Sequence, residues 1–333
     1  MSFRTLTHIA LLLTACVITL GALTRLLDAG LGCPDWPTCY GQVLPPASSQ
    51  SAEFHGLDSG KAWMEMIHRY AAGLLGLVIL YLTIKAEKDT ALSSRCRWLT
   101  RSLLALVIVQ ALFGMWTVTL KLQPQVVTLH LLGGMLLLAL LWSLKRTLSP
   151  VDSPVLPQRF KRSGQLVLLL LAVQIALGGW TSSQYAGLAC PDFPTCQGQW
   201  LPELNLDEAF HISTFTDANH EGGLLTLDAR VTIQVIHRFV ALLLSVSIVA
   251  LSIALCRYHA LRLSLALVLA ATVLQISLGI ANAVLLLPLP LALAHNTGAA
   301  LLLLCLLDLC LRLNSADTLT VASKQRSATM LTG

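Results

Sequence analysis

The sequence predicts an all-α membrane protein with eight transmembrane helices, arranged as two pseudo-twofold-related four-helix bundles. Two observations carry the class and a third carries the arrangement. Of 333 residues, 55% are hydrophobic and 12% are charged, against roughly a quarter charged in ordinary soluble domains. A soluble enzyme of this length cannot hide so much apolar surface, and a disordered or fibrous chain has a different composition. The apolar residues also fall into eight long runs with almost no charge inside. Finally, the chain repeats itself.

The runs are His8–Leu27, Ala62–Ile84, Ser102–Leu122, Val126–Leu144, Gly164–Gln184, Val231–Leu255, Leu263–Leu287 and Leu291–Leu311. Each is near the ~20 residues that cross a bilayer as a helix. Lipid offers a backbone no hydrogen-bond partners, so each run must satisfy its own. Leu13-Thr14-Ala15-Cys16 resembles a lipoprotein cleavage box. The apolar run continues past Cys16 and has a counterpart later in the chain, so the segment reads as an uncleaved helix.

Eight spans put both termini on one side. Lys and Arg crowd the connections on that side: Lys85–Arg101, Lys145–Arg162, Arg257 and Arg262, and Arg312–Arg326. The positive-inside rule therefore places both termini in the cytoplasm of a bacterial inner membrane. The bases are scattered over short loops without clustered aromatics, so a nucleic-acid partner is not expected. Two long loops, Asp28–Lys61 and Tyr185–Arg230, face outward.

Those loops carry the clearest self-similarity. Ala29–Pro45 and Ala186–Pro202 agree at thirteen of seventeen positions, 157 residues apart. Ile67-His68-Arg69 recurs as Ile236-His237-Arg238, and Gln110 and His130 recur as Gln275 and His295. A unit of four spans has thus been duplicated in the same orientation. The expected division is 1–150 and 151–333, the second half ending in a cytoplasmic tail.

Four of nine histidines belong to the repeat, each four to six residues inside an even-numbered span. That is roughly 6–9 Å below the outer surface. A polar ring in a bilayer is costly and marks function by default; for one alone, a hydrogen bond to a neighbouring helix would suffice. Two imidazoles at equal depth in each half suit a haem, whose iron takes an axial ligand on each face. Zinc or copper sites usually draw three or four ligands. Arg69 and Arg238 follow two of the histidines; propionate binding and snorkelling to the interface are both open to them.

The halves differ at one telling place. Glu65 lies three residues before His68, on the same helical face. Its counterpart is Gln234. The first half is expected to do chemistry and the second to hold a cofactor for electron transfer; a hydrogen bond from Glu65 to a loop is the bland alternative. Cys33 and Cys39, and Cys190 and Cys196, share a Cys-x₅-Cys spacing in the outer loops. Intraloop disulfides suit an oxidising compartment, with free thiols as the alternative. Cys16, Cys96, Cys256, Cys305 and Cys310 read as packing residues.

Taken together, these features resemble the haem A synthase family: duplicated four-helix units, Cys pairs in two outer loops, one His in each even-numbered span, and Glu65-x-x-His68-Arg69 as the catalytic motif. The resemblance implies oxidation of the C8 methyl of haem O to the formyl of haem A, for terminal oxidases. It implies His68 and His130 as ligands of the substrate haem, His237 and His295 as ligands of haem b, and Glu65 as the catalytic residue. Disulfides Cys33–Cys39 and Cys190–Cys196 are implied as well. Expected partners are the lipid bilayer, haem O synthase, terminal-oxidase assembly factors, an unidentified electron partner and further copies of the chain. The main alternative is a quinol-linked dihaem b-type electron-transfer protein. A transporter would need helices broken at mid-membrane, and an envelope thiol oxidoreductase would leave four histidines without a role.

Overall fold

The computed structural model describes residues 1–47, 58–150, 154–212 and 218–314; the expected cytoplasmic tail lies outside them. The described residues form nine α-helices. Eight are long and apolar enough to cross a membrane, and the chain is a multi-pass membrane protein. They are α1 (Phe3–Leu26), α2 (Ser59–Lys88), α3 (Ser94–Thr119), α4 (Pro124–Leu148), α5 (Gln158–Ser183), α7 (Leu227–Leu255), α8 (Arg262–Val284) and α9 (Leu289–Asn314). A single-turn α6 (Leu206–Ala209), unannounced by the sequence, interrupts the second outer loop.

The predicted spans match these helices, with shifted ends. Several helices begin earlier than their apolar runs because a polar side chain caps them. Ser2, Asp58, Ser93 and Thr226 each accept a backbone N–H of the first turn, which satisfies a donor that has no partner within the helix. Other runs outlast their helices. Lys121 and Leu122 after α3, and Leu286 and Leu287 after α8, adopt left-handed backbone with φ between 47° and 61°. The chain therefore turns while still apolar.

Helices α1–α4 pack in a closed ring, each against the next and α4 against α1. Helices α5, α7, α8 and α9 do the same. The rings join where α1 and α4 meet α5 and α9. Leu75, Ile79, Leu82, Leu103, Leu138 and Leu141 fill the first ring. Leu171, Leu244, Ile248, Val268, Leu302 and Leu306 fill the second. Large side chains such as Leu77, Phe239, Leu242 and Val273 point outward, the pattern of a surface whose solvent is hydrocarbon.

Polar contacts tie the junction at both ends. Toward the Cys-containing loops, Arg25 bonds Asp28 at 2.9 Å and reaches the carbonyl of Ser182 at 2.5 Å, while Tyr185 donates to Asp28 at 2.7 Å. At the other end, Asp308 of α9 accepts from Arg146 and, at 3.1 Å, from Trp142, both on α4. Of the cysteines read as packing residues, Cys96 and Cys310 are buried, but Cys16 and Cys256 are exposed. Those two lie on outward helix faces or in a turn, where the core does not reach.

Candidate functional site

Four imidazoles stand at the Cys-loop end of the helices. In the first ring, His68 of α2 faces His130 of α4, with ring centroids 6.4 Å apart and planes at 82°. In the second, His237 lies on α7 and His295 on α9. Each ring is half-buried. Nδ1 of His68, His130 and His295 has no hydrogen-bond partner among the described residues.

Each imidazole also has a glycine of the preceding long helix against its Cε1. A Cβ at Gly21 would come within 2.8 Å of His68, at Gly279 within 3.1 Å of His295, at Gly178 within 3.4 Å of His237, and at Gly114 within 3.5 Å of His130. The glycines clear space for the rings. The signal was present in the sequence: Gly21 and Gly178 are 157 residues apart, and Gly114 and Gly279 are 165 apart, the offsets of the repeat. Glutamines fill the layer beside them. Gln174 of α5 places Nε2 3.1 Å from Nδ1 of His237 and 3.2 Å from its carbonyl. Gln275 of α8 donates to the carbonyl of His295 at 3.0 Å.

Such a site suits a planar metal macrocycle. A metal about 2 Å from each of two imidazole nitrogens would hold their centroids roughly 6 Å apart, close to the separation of His68 and His130. No group of three or more His, Cys, Asp or Glu side chains sits together among the described residues. Each ring thus offers an imidazole pair, not a multi-ligand shell. Buried ring nitrogens left without partners are expensive unless something binds them.

Glu65 is buried above His68. Its Oε2 accepts the backbone N–H of Cys33 at 2.9 Å, and its Oε1 accepts from Arg69. Arg69 continues into the loop, donating to the carbonyls of Asp35 at 3.0 Å and Thr38 at 2.9 Å. Arg238 does the same in the second half, donating to the carbonyls of Cys190 and Thr195, each at 2.8 Å. Both arginines therefore clamp the Cys loop onto the histidine-bearing helix. Gln234, the counterpart of Glu65, makes a single long bond of 3.4 Å to the carbonyl of Gly187, and its Oε1 is unpartnered.

The loops themselves are built alike. Cys33 and Cys39 are at disulfide distance, as are Cys190 and Cys196, with Cα–Cα separations of 4.8 and 4.6 Å. Asp35 accepts the N–H groups of Tyr40 and Gly41 and the hydroxyl of Thr38. Asp192 accepts the equivalent three from Gln197, Gly198 and Thr195. The Thr195 hydroxyl, followed by those N–H groups, holds the Asp192 carboxyl down at about 2.

A family description, cytochrome oxidase assembly protein (COX15-CtaA), matches residues 4–307. The chain belongs to this family. Among relatives, the heme A synthase of Shewanella oneidensis is 41% identical over 253 residues, spanning 73% of this chain and 76% of that protein. The heme A synthase of Shouchella clausii is 28% identical over 247 residues, 71% of this chain and 70% of that protein. The heme A synthase of Wolbachia pipientis is 29% identical over 278 residues, 73% of this chain and 78% of that protein.

Proposed function

We propose that this chain is a haem A synthase, an oxidoreductase that converts the C8 methyl of haem O to the formyl of haem A. The observation that carries the reading is a contrast between two otherwise matched sites. Each four-helix ring carries two imidazoles, but among the described residues a buried carboxylate, Glu65, stands beside a pair only in the first, where the second has Gln234. Residues 1–150 are then the catalytic half, and residues 151–333 the half that holds a permanent haem b.

His68 and His130 would hold the iron of the substrate haem, and His237 and His295 that of haem b. Converting methyl to formyl removes four electrons, so an electron carrier must lie within reach; haem b supplies that chemistry when bound. Glu65 is suited to positive charge developing on the substrate. Its two oxygens each accept one bond from the protein and retain further lone pairs. The Cys33 N–H and Arg69 fix the carboxylate in place, so it need not reorganise as charge appears. Proton acceptance at Glu65 would compete with Arg69 for Oε1. Arg69 and Arg238, held by loop carbonyls, act first as clamps; a contact of either with a propionate would be added to that role.

The two halves are proposed to be related by a pseudo-twofold axis along the membrane normal. The termini would be cytoplasmic and the haem sites near the outer face. Haem O synthase and oxidase assembly factors are the partners this role requires. A dihaem electron-transfer protein would need no carboxylate beside one pair, and none of the named relatives supports it. The test is to supply haem O to the purified protein and extract the pigments. Formation of haem A supports the assignment, and recovery of haem b alone contradicts it.

A further inference from the structure

The second Cys-containing loop reaches across to the first half. The repeat offset is 157 at Ala29 and Ala186 but 169 at His68 and His237, so this loop is twelve residues longer than its counterpart. Within it, the backbone N–H of His220 donates to the carbonyl of Lys121, in the turn between α3 and α4, at 3.1 Å. Glu221 pairs with Lys61, in the first turn of α2, at 3.6 Å. Helices α2 and α4 carry His68 and His130, about 9–10 Å further along each helix at 1.5 Å per residue. A stretch of the second half thus ties together the loop-facing ends of the helices that bear the first imidazole pair. Its own half holds it in place. Gly223, at φ 77°, donates its N–H to the carbonyl of His220 at 3.1 Å, and Arg230 of α7 grips the Gly223 carbonyl at 3.2 Å. A Cβ at Gly223 would meet the carbonyl oxygen of Gln184 at 2.9 Å.

His220 is only 5% exposed although it belongs to a loop, and its Nε2 has no partner among the described residues. A buried ring nitrogen is expensive to leave unpaired, so such an atom calls for a ligand. The first half has no equivalent: the corresponding positions at the two offsets are Trp63 and Ser51. A haem held by His68 and His130 brings two propionates. Carboxylates leave hydrocarbon for the polar ends of the helices, which is where His220 lies. Arg69 is already committed to Glu65 and to the carbonyls of Asp35 and Thr38, and Lys61 faces Glu221. We propose that His220, supplied by the second half, binds a propionate of the substrate haem through its Nε2–H. This deepens the reading above and rests on it, since it supposes haem O on His68 and His130. An imidazole keeps an N–H whether neutral or charged, and a carboxylate acceptor makes the bond one of the strong ones. The C8 methyl shares a pyrrole ring with one propionate, so anchoring that edge also positions the carbon to be oxidised.

The test uses the full-length protein in detergent, produced in a host that makes no haem O. It is titrated optically with haem O and with haem O dimethyl ester, whose propionates no longer carry charge. Wild-type protein should prefer the acid by about 10- to 100-fold, the worth of one hydrogen bond to a charged group. His220→Ala should lose most of that preference, by weakening haem O and leaving the ester nearly unchanged. His220→Gln, which keeps an amide N–H donor, should recover much of it. A general defect of the loop would weaken both ligands and keep their ratio, so the ratio is the readout. If His220→Ala does not accumulate, His220→Phe fills the same space without a donor and takes its place. A wild-type ratio in either donor-less variant, or no preference in the wild type, overturns the proposal and leaves the haem O reading standing. Wild-type protein that binds neither ligand overturns that reading as well.

Discussion

Tyr185 donates its hydroxyl to the carboxylate of Asp28 at 2.7 Å, and the two residues occupy the same position in the two copies of the repeat. Arg25 and Ser182, joined by a guanidinium-to-carbonyl bond, are likewise 157 residues apart. Contact between equivalent residues is what the proposed pseudo-twofold relation of the halves requires. The side chains at these positions differ between the copies, and the contacts are complementary: acid meets phenol, and guanidinium meets carbonyl. The junction is therefore specific to a joined pair of halves.

Removing that contact should loosen the halves without touching either histidine pair. Tyr185→Phe deletes one hydrogen bond to a charged acceptor, a loss of about 1.5–3 kcal/mol. Asp28→Ala should be worse, because it also removes the ion pair with Arg25. Thermal unfolding in detergent should show a lowered midpoint for both, and the double variant should fall short of the sum. Additive effects would mean the two residues are energetically separate.

Glu65→Gln should keep the loop bond, since an amide oxygen can still accept the Cys33 N–H, but lose the ion pair with Arg69. The fold and bound haems should persist. Haem A formation should fall by at least ~100-fold, the low end for losing one preorganised electrostatic stabiliser. Chromatography of extracted haems checks this; full turnover in the variant would remove Glu65 from the chemistry.

The glycines should be graded by the space they leave. Gly21→Ala sets a Cβ 2.8 Å from His68, whereas Gly114→Ala leaves 3.5 Å to His130. The first should displace its ring and deplete haem O and haem A but not haem b. The second should be nearly silent. Gly279→Ala, at 3.1 Å from His295, should instead reduce haem b. Spectra of the three purified variants compare them directly.

The spans, their number and the repeat could all be read from the sequence, because hydrocarbon imposes length and polarity on every helix it surrounds. Helix ends could not, because Asp58 and Thr226 extend α2 and α7 by capping, which an apolar run does not report. The four histidines and Glu65 stood out because ionisable residues are rare at that depth. Gln174 and the glycines did not, since their roles exist only where another helix brings a ring against them. Arg69 was ambiguous for the same reason: a clamp on loop carbonyls is a tertiary fact. The bland alternative for Glu65, a bond to the loop, is also present, and it is compatible with a catalytic role because it fixes the carboxylate.

The second loop should resist mild acid. Asp192 has its carboxyl lowered from 3.8 to about 2, so its contribution is complete above the unfolded value and fades as pH falls from there toward 2. Protection of the Gln197 and Gly198 amides, taken relative to the intrinsic exchange rate at each pH, should stay high at pH 5 and fall toward pH 2. Asp192→Asn should abolish that pH dependence; an unchanged profile would show that other groups control the loop.

The account rests on two imidazole pairs each gripping a porphyrin, and haem counted by type in single-histidine variants tests it most directly. Purified protein should carry haem b together with haem O or A. His237→Ala should lose haem b and keep the substrate haem, and His68→Ala should do the reverse. A pyridine haemochrome spectrum and pigment profile unaltered by either substitution would contradict it.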